Sequence, residues 1–223
     1  MRIGGLQRLT LIDYPGKMAA VVFTQGCNFR CPFCHNPQLV IPHKFEQPIP
    51  EEDVLDFLRS RCHYLQGVVV SGGEPTLHRD LIEFLEKIKS MNYLIKLDTN
   101  GSRPKVLEDI IRLKLVDYLA MDVKTSFQNY IQAVGVQFQV ERIKRSIALI
   151  LHSGIAHEFR TTAVKSLCSR EDFLEIRGYI KEAYKYRIQK FRASEPIVDS
   201  ELLKEDQYSV SDLDMINQLF TIG

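Results

Sequence analysis

The chain has 223 residues, a net charge of +1, and 45% hydrophobic and 26% charged residues. These proportions are ordinary for a water-soluble globular protein, and the near-zero charge argues against a nucleic-acid binder that relies on bulk electrostatics. No apolar run approaches membrane-spanning length, the N-terminus lacks a signal-peptide pattern, and five cysteines with three clustered do not read as a disulfide framework, so the expected location is the cytoplasm, where thiols stay reduced.

Residues 1–17 carry a short apolar pattern at Leu9, Leu11 and Ile12 and close on a Pro15-Gly16 turn. Met18–Thr24 is an apolar run of buried-strand length leading into Gln25-Gly26. Residues 37–50 hold four prolines and little periodicity, so irregular loop is expected. Pro50 followed by Glu51, Glu52 and Asp53 starts a helix, with the acids at the positive end of its dipole. Val68–Val70 is the next strand. Leu81, Phe84, Leu85 and Ile88 then fall on one helix face. Leu94–Leu97 is a third strand, followed by a helix with Val106, Leu107, Ile110 and Ile111 on one side. Val116–Met121 is a fourth strand, and helical patterns follow at Phe127–Val134 and Val140–Leu151. His157–Val164 is a fifth strand. Ser169 and Asp172 have capping-box spacing before a helix with Phe173, Ile176 and Ile180 on its inner face. Tyr186–Phe191 is a sixth strand, and Ser211 with Asp214 should cap a last helix ending near Phe220.

Six strands alternating with helices imply an α/β fold with a parallel sheet and right-handed crossovers. The chain is too short for eight ordinary βα units. A single domain over residues 1–223 is expected, built as an open, partial (β/α)6 barrel. A flat doubly wound sheet is the alternative. Residues 1–17 form a short N-terminal extension, and residues 192–223 carry no assignable motif.

The chemistry-bearing motifs all follow strands. Cys27, Cys31 and Cys34, in C-x3-C-x2-C spacing, follow the first. Gly72-Gly73-Glu74 follows the second, Asp98-Thr99-Asn100-Gly101 the third, and Asp122-Val123-Lys124 the fourth. In parallel α/β folds the ligand site lies at the C-terminal ends of the strands, so these motifs should converge. Thiolates favour zinc and iron–sulfur clusters. Three cysteines on a [4Fe–4S] cluster leave one iron open to a ligand, whereas a zinc site would borrow His35, Cys62 or Cys168 as its fourth ligand. Glycines let backbone carbonyls approach an ammonium group closely, and two carboxylates close together call for a cation. Taken singly, the Gly-rich turn, an Asx-type turn at Asp98, a capping Asp122 and a solvated Lys124 would be structural. Cys62 reads as a buried small hydrophobe and Cys168 as a loop thiol.

The cysteine spacing with Phe33 before the last cysteine resembles the signature of the radical S-adenosylmethionine (SAM) superfamily. That resemblance implies a [4Fe–4S] cluster on Cys27, Cys31 and Cys34, with SAM on its open iron. It also implies that Gly72, Gly73 and Glu74 bind the SAM amino group. The Asp-Thr-Asn-Gly and Asp-Val-Lys motifs and Cys34-His35-Asn36 resemble those of glycyl-radical-enzyme activases. On that likeness Phe33, Asn100, Lys124 and Arg160 approach SAM, and Asp98, Thr99 and Asp122 hold a monovalent cation. The segment from Gly5-Leu6-Gln7 through Asp13-Tyr14-Pro15-Gly16-Lys17 to Cys27 resembles the anaerobic ribonucleoside-triphosphate reductase activating family. The implied function is SAM cleavage, driven by a flavodoxin- or ferredoxin-type electron donor, that places a glycyl radical on a partner enzyme. A radical SAM enzyme acting on a small molecule or peptide, and a non-catalytic zinc or iron–sulfur electron-transfer protein, are the alternatives.

Overall fold

A computed structural model of the chain describes residues 1–221; of the expected C-terminal segment, residues 222–223 lie outside it. In chain order the elements are β1 (Ile3–Thr10), β2 (Ala19–Thr24), α1 (Pro37–Val40), α2 (Glu51–Arg61), β3 (Gly67–Gly72) and α3 (Leu81–Ser90). Then come β4 (Leu94–Thr99), α4 (Pro104–Arg112), β5 (Tyr118–Asp122), α5 (Tyr130–Val134) and α6 (Glu141–Leu151). The chain closes with β6 (Ala156–Ala163), α7 (Arg170–Ile180), β7 (Tyr186–Lys190) and α8 (Val210–Thr221). Short 3-10 turns lie at Pro42–Lys44, Pro75–Leu77 and Ser200–Lys204.

All six expected strands are present, as β2 to β7, and each pairs in parallel with the next. A seventh, β1, adds antiparallel to β2 at the edge. The N-terminal extension is therefore a strand, where the sequence pattern suggested only scattered apolar residues. Its burial explains why the pattern was weak: only Ile3 and Thr10, at its two ends, are buried, and between them the strand goes from half-buried to exposed. Strand order follows sequence order from β1 to β7. A doubly wound sheet would reverse its order at a switch point. The absence of a reversal means that successive right-handed crossovers lay the helices along one face, and the sheet curves into a partial barrel.

The two faces differ in chemistry. Val68, Val70, Ile95, Leu97, Leu119 and Met121 point outward and join the large apolar core with Phe84, Ile88, Leu107, Ile110, Ile143 and Ile147 from the helices. The alternate residues point inward. Val21, Val69 and Tyr118 form a small apolar layer with Ala19 and Tyr14, and Lys96 sits at the same level through its pairings with Val69 and Tyr118. Tyr14, from the loop between β1 and β2, closes this end of the barrel. It is 4% exposed and tilts against Tyr118 at 6.0 Å between ring centroids. Gly67 has to be glycine beside it, because an added Cβ would lie 2.9 Å from the Tyr14 ring.

Helix ends agree in part with the expected caps. Ser169 and Asp172 form the full reciprocal capping box of α7. At α8 the cap is Ser209 with Asp212, two residues before the expected pair: Asp212 accepts from Ser209 N at 2.8 Å, and Ser209 Oγ accepts from Asp212 N at 3.1 Å. The serine run Ser209-Val210-Ser211 offers both registers, and the buried Leu213 and Ile216 select the one that turns them inward. The expected helix over residues 127–134 shortens to α5, ending on Gly135 in the left-handed conformation. The proline-rich stretch is less irregular than expected, holding α1, a 3-10 turn and a bridge from Ile49 to Ile3.

The plug at the barrel floor has a measurable consequence. Tyr14→Ala should cost about 3 kcal/mol of unfolding free energy in a denaturant titration, through the cavity left under Tyr118. Ile12→Ala, in the same loop but at an 85% exposed position, should stay within about 0.5 kcal/mol of the parent. Equal losses at both positions would refute the plug.

Candidate active site

The cysteine loop starts where β2 ends and is tied down along its whole length. Gly26 N donates to Leu39 O at 2.7 Å, fixing the entry. The Arg30 guanidinium folds back to donate to the carbonyls of Cys27 and Phe29, both at 2.7 Å. Arg30 N donates to Val134 O at 2.8 Å at the end of α5. Gly135 permits that approach, since a Cβ there would meet Arg30 O at 2.5 Å. From the far side, Val198 N donates to Cys34 O at 3.1 Å and Asp199 N to Pro32 O at 3.0 Å. These ties leave Cys27, Cys31 and Cys34 along one cavity. Burial pushes the Cys27 thiol up to about 11 and the Cys31 thiol up to about 12.

The same cavity takes in Gly72 and Gly73, whose bare backbone faces it. Gly72 has φ of +111°, and a Cβ on it would meet Thr24 N at 2.3 Å. A Cβ on Gly73 would meet Gly26 O at 2.1 Å. Both glycines are therefore required to pass the backbone of the cysteine-loop entry. Glu74 lies behind this wall. It is fully buried, and the cavity lining does not include it. Its carboxylate accepts from Thr76 N at 3.1 Å, Thr99 Oγ1 at 2.8 Å, Asn100 N at 2.6 Å and the Thr76 hydroxyl. Oε1 takes three of these hydrogen bonds and Oε2 one, so Glu74 ties the turn after β3 to Thr99 and Asn100. Burial raises its pKa, against the pull of those hydrogen bonds.

Asp98, Thr99, Asn100, Asp122, Lys124 and Arg160 reach the cavity from the ends of β4, β5 and β6. Asn100 Nδ2 donates to Asn28 Oδ1 at 3.1 Å and lies 3.8 Å from the Cys27 sulfur, joining this wall to the cysteine loop. Arg160 spans the two aspartates, with Nη1 to Asp98 Oδ2 at 3.2 Å and Nε to Asp122 Oδ1 at 2.8 Å. Lys124 Nζ donates to Asp122 Oδ2 at 2.9 Å and lies 5.8 Å from the Phe33 ring centroid. Burial opposes ionisation of Asp122, but Arg160 and then Lys124 outweigh it and hold the carboxyl well below the usual carboxylate range.

Residues that sequence reasoning passed over also line or support the site. Ser71 Oγ donates to Asp98 Oδ2 at 3.1 Å, and Thr162 joins the cavity wall. Lys96 places its ammonium 2.9 Å from Asp98 Oδ1. A signal for Lys96 was present: it is a charge inside an apolar strand, two residues before Asp98 and so on the same face.

The lining fits the cluster and SAM that the motifs imply. Its donor set is three soft sulfurs, with bare glycine backbone and a mixed set of charges across the cavity. Of His35, Cys62 and Cys168, the fourth ligands a zinc site would borrow, His35 alone lines the cavity with the three thiols. His35 packs on Phe191 at 5.5 Å. Of the two remaining cysteines, Cys168 lies in a loop as expected and is buried there, whereas Cys62, expected buried, is exposed. Cys62 falls at the solvent-facing end of α2, while Tyr208 seals Cys168 by donating to its carbonyl at 2.8 Å.

Residues 21–176 match the radical SAM superfamily. A Methanocaldococcus jannaschii protein described as a glycyl-radical enzyme activating enzyme is 38% identical over 195 residues, covering 85% of this chain and 79% of its own length. The pyruvate formate-lyase-activating enzyme of Clostridium pasteurianum is 34% identical over 127 residues, covering 55% of this chain and 52% of that enzyme. Among solved structures, Streptococcus suis SuiB bound to S-adenosylmethionine superposes with a TM-score of 0.72 at 17% identity, over 90% of this chain and 46% of SuiB. The chain thus spans about half the length of that solved structure. The converging thiols and strand ends, the matched residues and the shared fold agree: this chain belongs to the radical SAM superfamily and is homologous to its glycyl-radical-enzyme activating enzymes.

Proposed function

We propose that the chain is an activase that installs a glycyl radical on a partner enzyme, and that the partner is an anaerobic ribonucleoside-triphosphate reductase. The observation that carries the reading is the meeting of all three thiols with the strand ends of Gly72-Gly73, Asp98-Asn100 and Asp122-Lys124 around one cavity. When bound, a cluster reduced by a flavodoxin- or ferredoxin-type donor supplies one-electron cleavage of SAM to methionine and a 5′-deoxyadenosyl radical that takes a hydrogen atom from a glycine Cα.

The chain's own residues do the holding. Cys27, Cys31 and Cys34 bind the cluster. Gly72 and Gly73 offer backbone to the SAM amino group, and Lys124 and Arg160 offer positive charge to its carboxylate. Asn100, Asp98 and Phe33 complete the wall, and Glu74 acts behind it by fixing Thr99 and Asn100. Single-domain organisation and a cytoplasmic setting belong to the same reading, supported by five free cysteines and by the lack, among the described residues, of a helix long and apolar enough to cross a membrane.

A glycine substrate suits this geometry. His35 and Thr162 line both the central cavity and a second one bounded by Gln189, Phe191, Arg192 and Tyr208. That continuity supports entry of an extended chain segment from beside β7. A residue without a Cβ approaches a reacting centre most closely, and a partner that must lend such a segment binds with conformational gating.

Two outcomes check the reading. In anaerobically reconstituted protein, Cys27→Ala, Cys31→Ala and Cys34→Ala should each lose the cluster absorbance and SAM cleavage, while Cys62→Ala and Cys168→Ala keep iron and sulfide near the parent value. Iron loss in Cys62→Ala would sink the three-ligand assignment. Mixing reduced protein, SAM and the reductase should give an electron paramagnetic resonance doublet that collapses when the partner glycine is deuterated at Cα. SAM turnover with no partner radical, stimulated instead by a small molecule, would hand the function to the small-molecule alternative.

A further inference from the structure

The inner face of the barrel carries charges of alternating sign from its middle to its mouth. Arg187 Nε lies 2.9 Å from Glu158 Oε2. Lys96 Nζ lies 3.9 Å from Glu158 Oε1 and 2.9 Å from Asp98 Oδ1. Arg160 joins Asp98 to Asp122, and Lys124 takes the last oxygen of Asp122 at 2.9 Å. Strand register builds this ladder. Asp98 pairs with Ala120, which pairs with Glu158, and Asp122 pairs with Arg160, which pairs with Arg187.

Every carboxylate oxygen of Asp98 and Asp122 therefore already faces a protein cation. A monovalent metal ion binds through oxygens that are free to coordinate it; three of these four accept hydrogen bonds, and the fourth, Asp98 Oδ1, is held against the Lys96 ammonium. Lys96 is the distinctive member. It is 2% exposed, and its neighbours at the same level, Val69 and Tyr118, are apolar. The Asp13 carbonyl accepts from its ammonium at 2.7 Å, and the Tyr118 ring centroid lies 6.0 Å away. An ammonium held in such surroundings is costly unless it neutralises a partner. Its contact with Asp98 Oδ1 is an ion pair set off the hydrogen-bonding direction, since that oxygen accepts no hydrogen bond. Lys96 thus acts on Asp98 as a point charge, as a bound cation would.

We propose that Lys96 is the resident counter-cation of Asp98, a positioning residue that takes the place of a monovalent metal ion, so that SAM binding by this chain is independent of sodium and potassium. This rests on the reading that SAM occupies the cavity, and departs from the cation site implied by the activase resemblance.

The test compares the parent with Lys96→Met, which keeps bulk and removes the charge. Two quantities are measured in potassium chloride and in choline chloride at equal ionic strength: SAM affinity of the reconstituted protein by anaerobic equilibrium dialysis, and the thermal midpoint of the cluster-free protein. The parent should be indifferent to the salt in both. Lys96→Met should bind SAM about thirtyfold more weakly in choline, the low end of the loss when one partner of a buried charge pair is removed. Potassium should restore its affinity and raise its midpoint, a rescue that a purely structural role for Lys96 would not produce. A parent that gains affinity or stability from potassium, or a variant indifferent to it, would overturn the proposal. If the variant does not fold, the parent's salt response decides by itself. Neither measurement needs a partner enzyme, and the cluster-free midpoint needs no SAM, so failure of the activase reading and failure of this one are separate results.

Discussion

The site depends on one buried carboxylate. Glu74 has no access to water, and its oxygens are satisfied by Thr76, Thr99 and Asn100. An uncompensated charge at that depth would cost several kcal/mol, so the turn after β3 and the turn after β4 form together or not at all. Asn100 then passes the constraint on through Asn28 to the cysteine loop. Ser102 N donates to Asn100 Oδ1 at 2.9 Å and orients that side chain. Glu74 thereby holds the turns after β3 and β4 in register.

Electrostatic compensation follows the same logic along the barrel interior. Asp98 and Asp122 would repel each other across the mouth, and Arg160 bridges them. Low local dielectric strengthens each pair and makes any unpaired member costly. The thiols show the opposite response. Lys124 draws the Cys27 and Cys31 thiols down, but burial outweighs it and pushes both up. Metal ligation by thiolate then releases protons and is coupled to the local fold.

The C-terminal segment has a structural role that its sequence did not announce. After β7 the chain returns to the cysteine loop, where Val198 and Asp199 donate to its carbonyls. Ile197, Leu202, Leu213 and Ile216 bury themselves in the main apolar core, and Phe191 supports His35. Residues 30–34 are thus held between α5 on one side and this segment on the other. A loop that presents three ligands needs such support, because its own short hydrogen bonds, such as Cys34 N to Cys31 O at 3.0 Å, fix only one turn of it.

Local pattern alone determined the six parallel strands, the helix faces and the placement of each motif at a strand end. Strand alternation and helical periodicity are written in consecutive residues. The convergence of the cysteines with Gly72-Gly73, Asp98 and Asp122 followed from the rule for parallel sheets and needed no coordinates. Tertiary structure decided what depends on partners distant in the chain. It made β1 a strand by pairing it with β2, although only its two end residues are buried. It turned Glu74 inward through donors 25 and 26 positions away, and left Cys62, expected buried, exposed. It also brought Lys96 to Asp98, Glu158 and the carbonyl of Asp13, a residue 83 positions earlier. Side-chain periodicity says which face a residue occupies. Which charge it meets there is set by sheet curvature and register, which no short stretch of sequence contains.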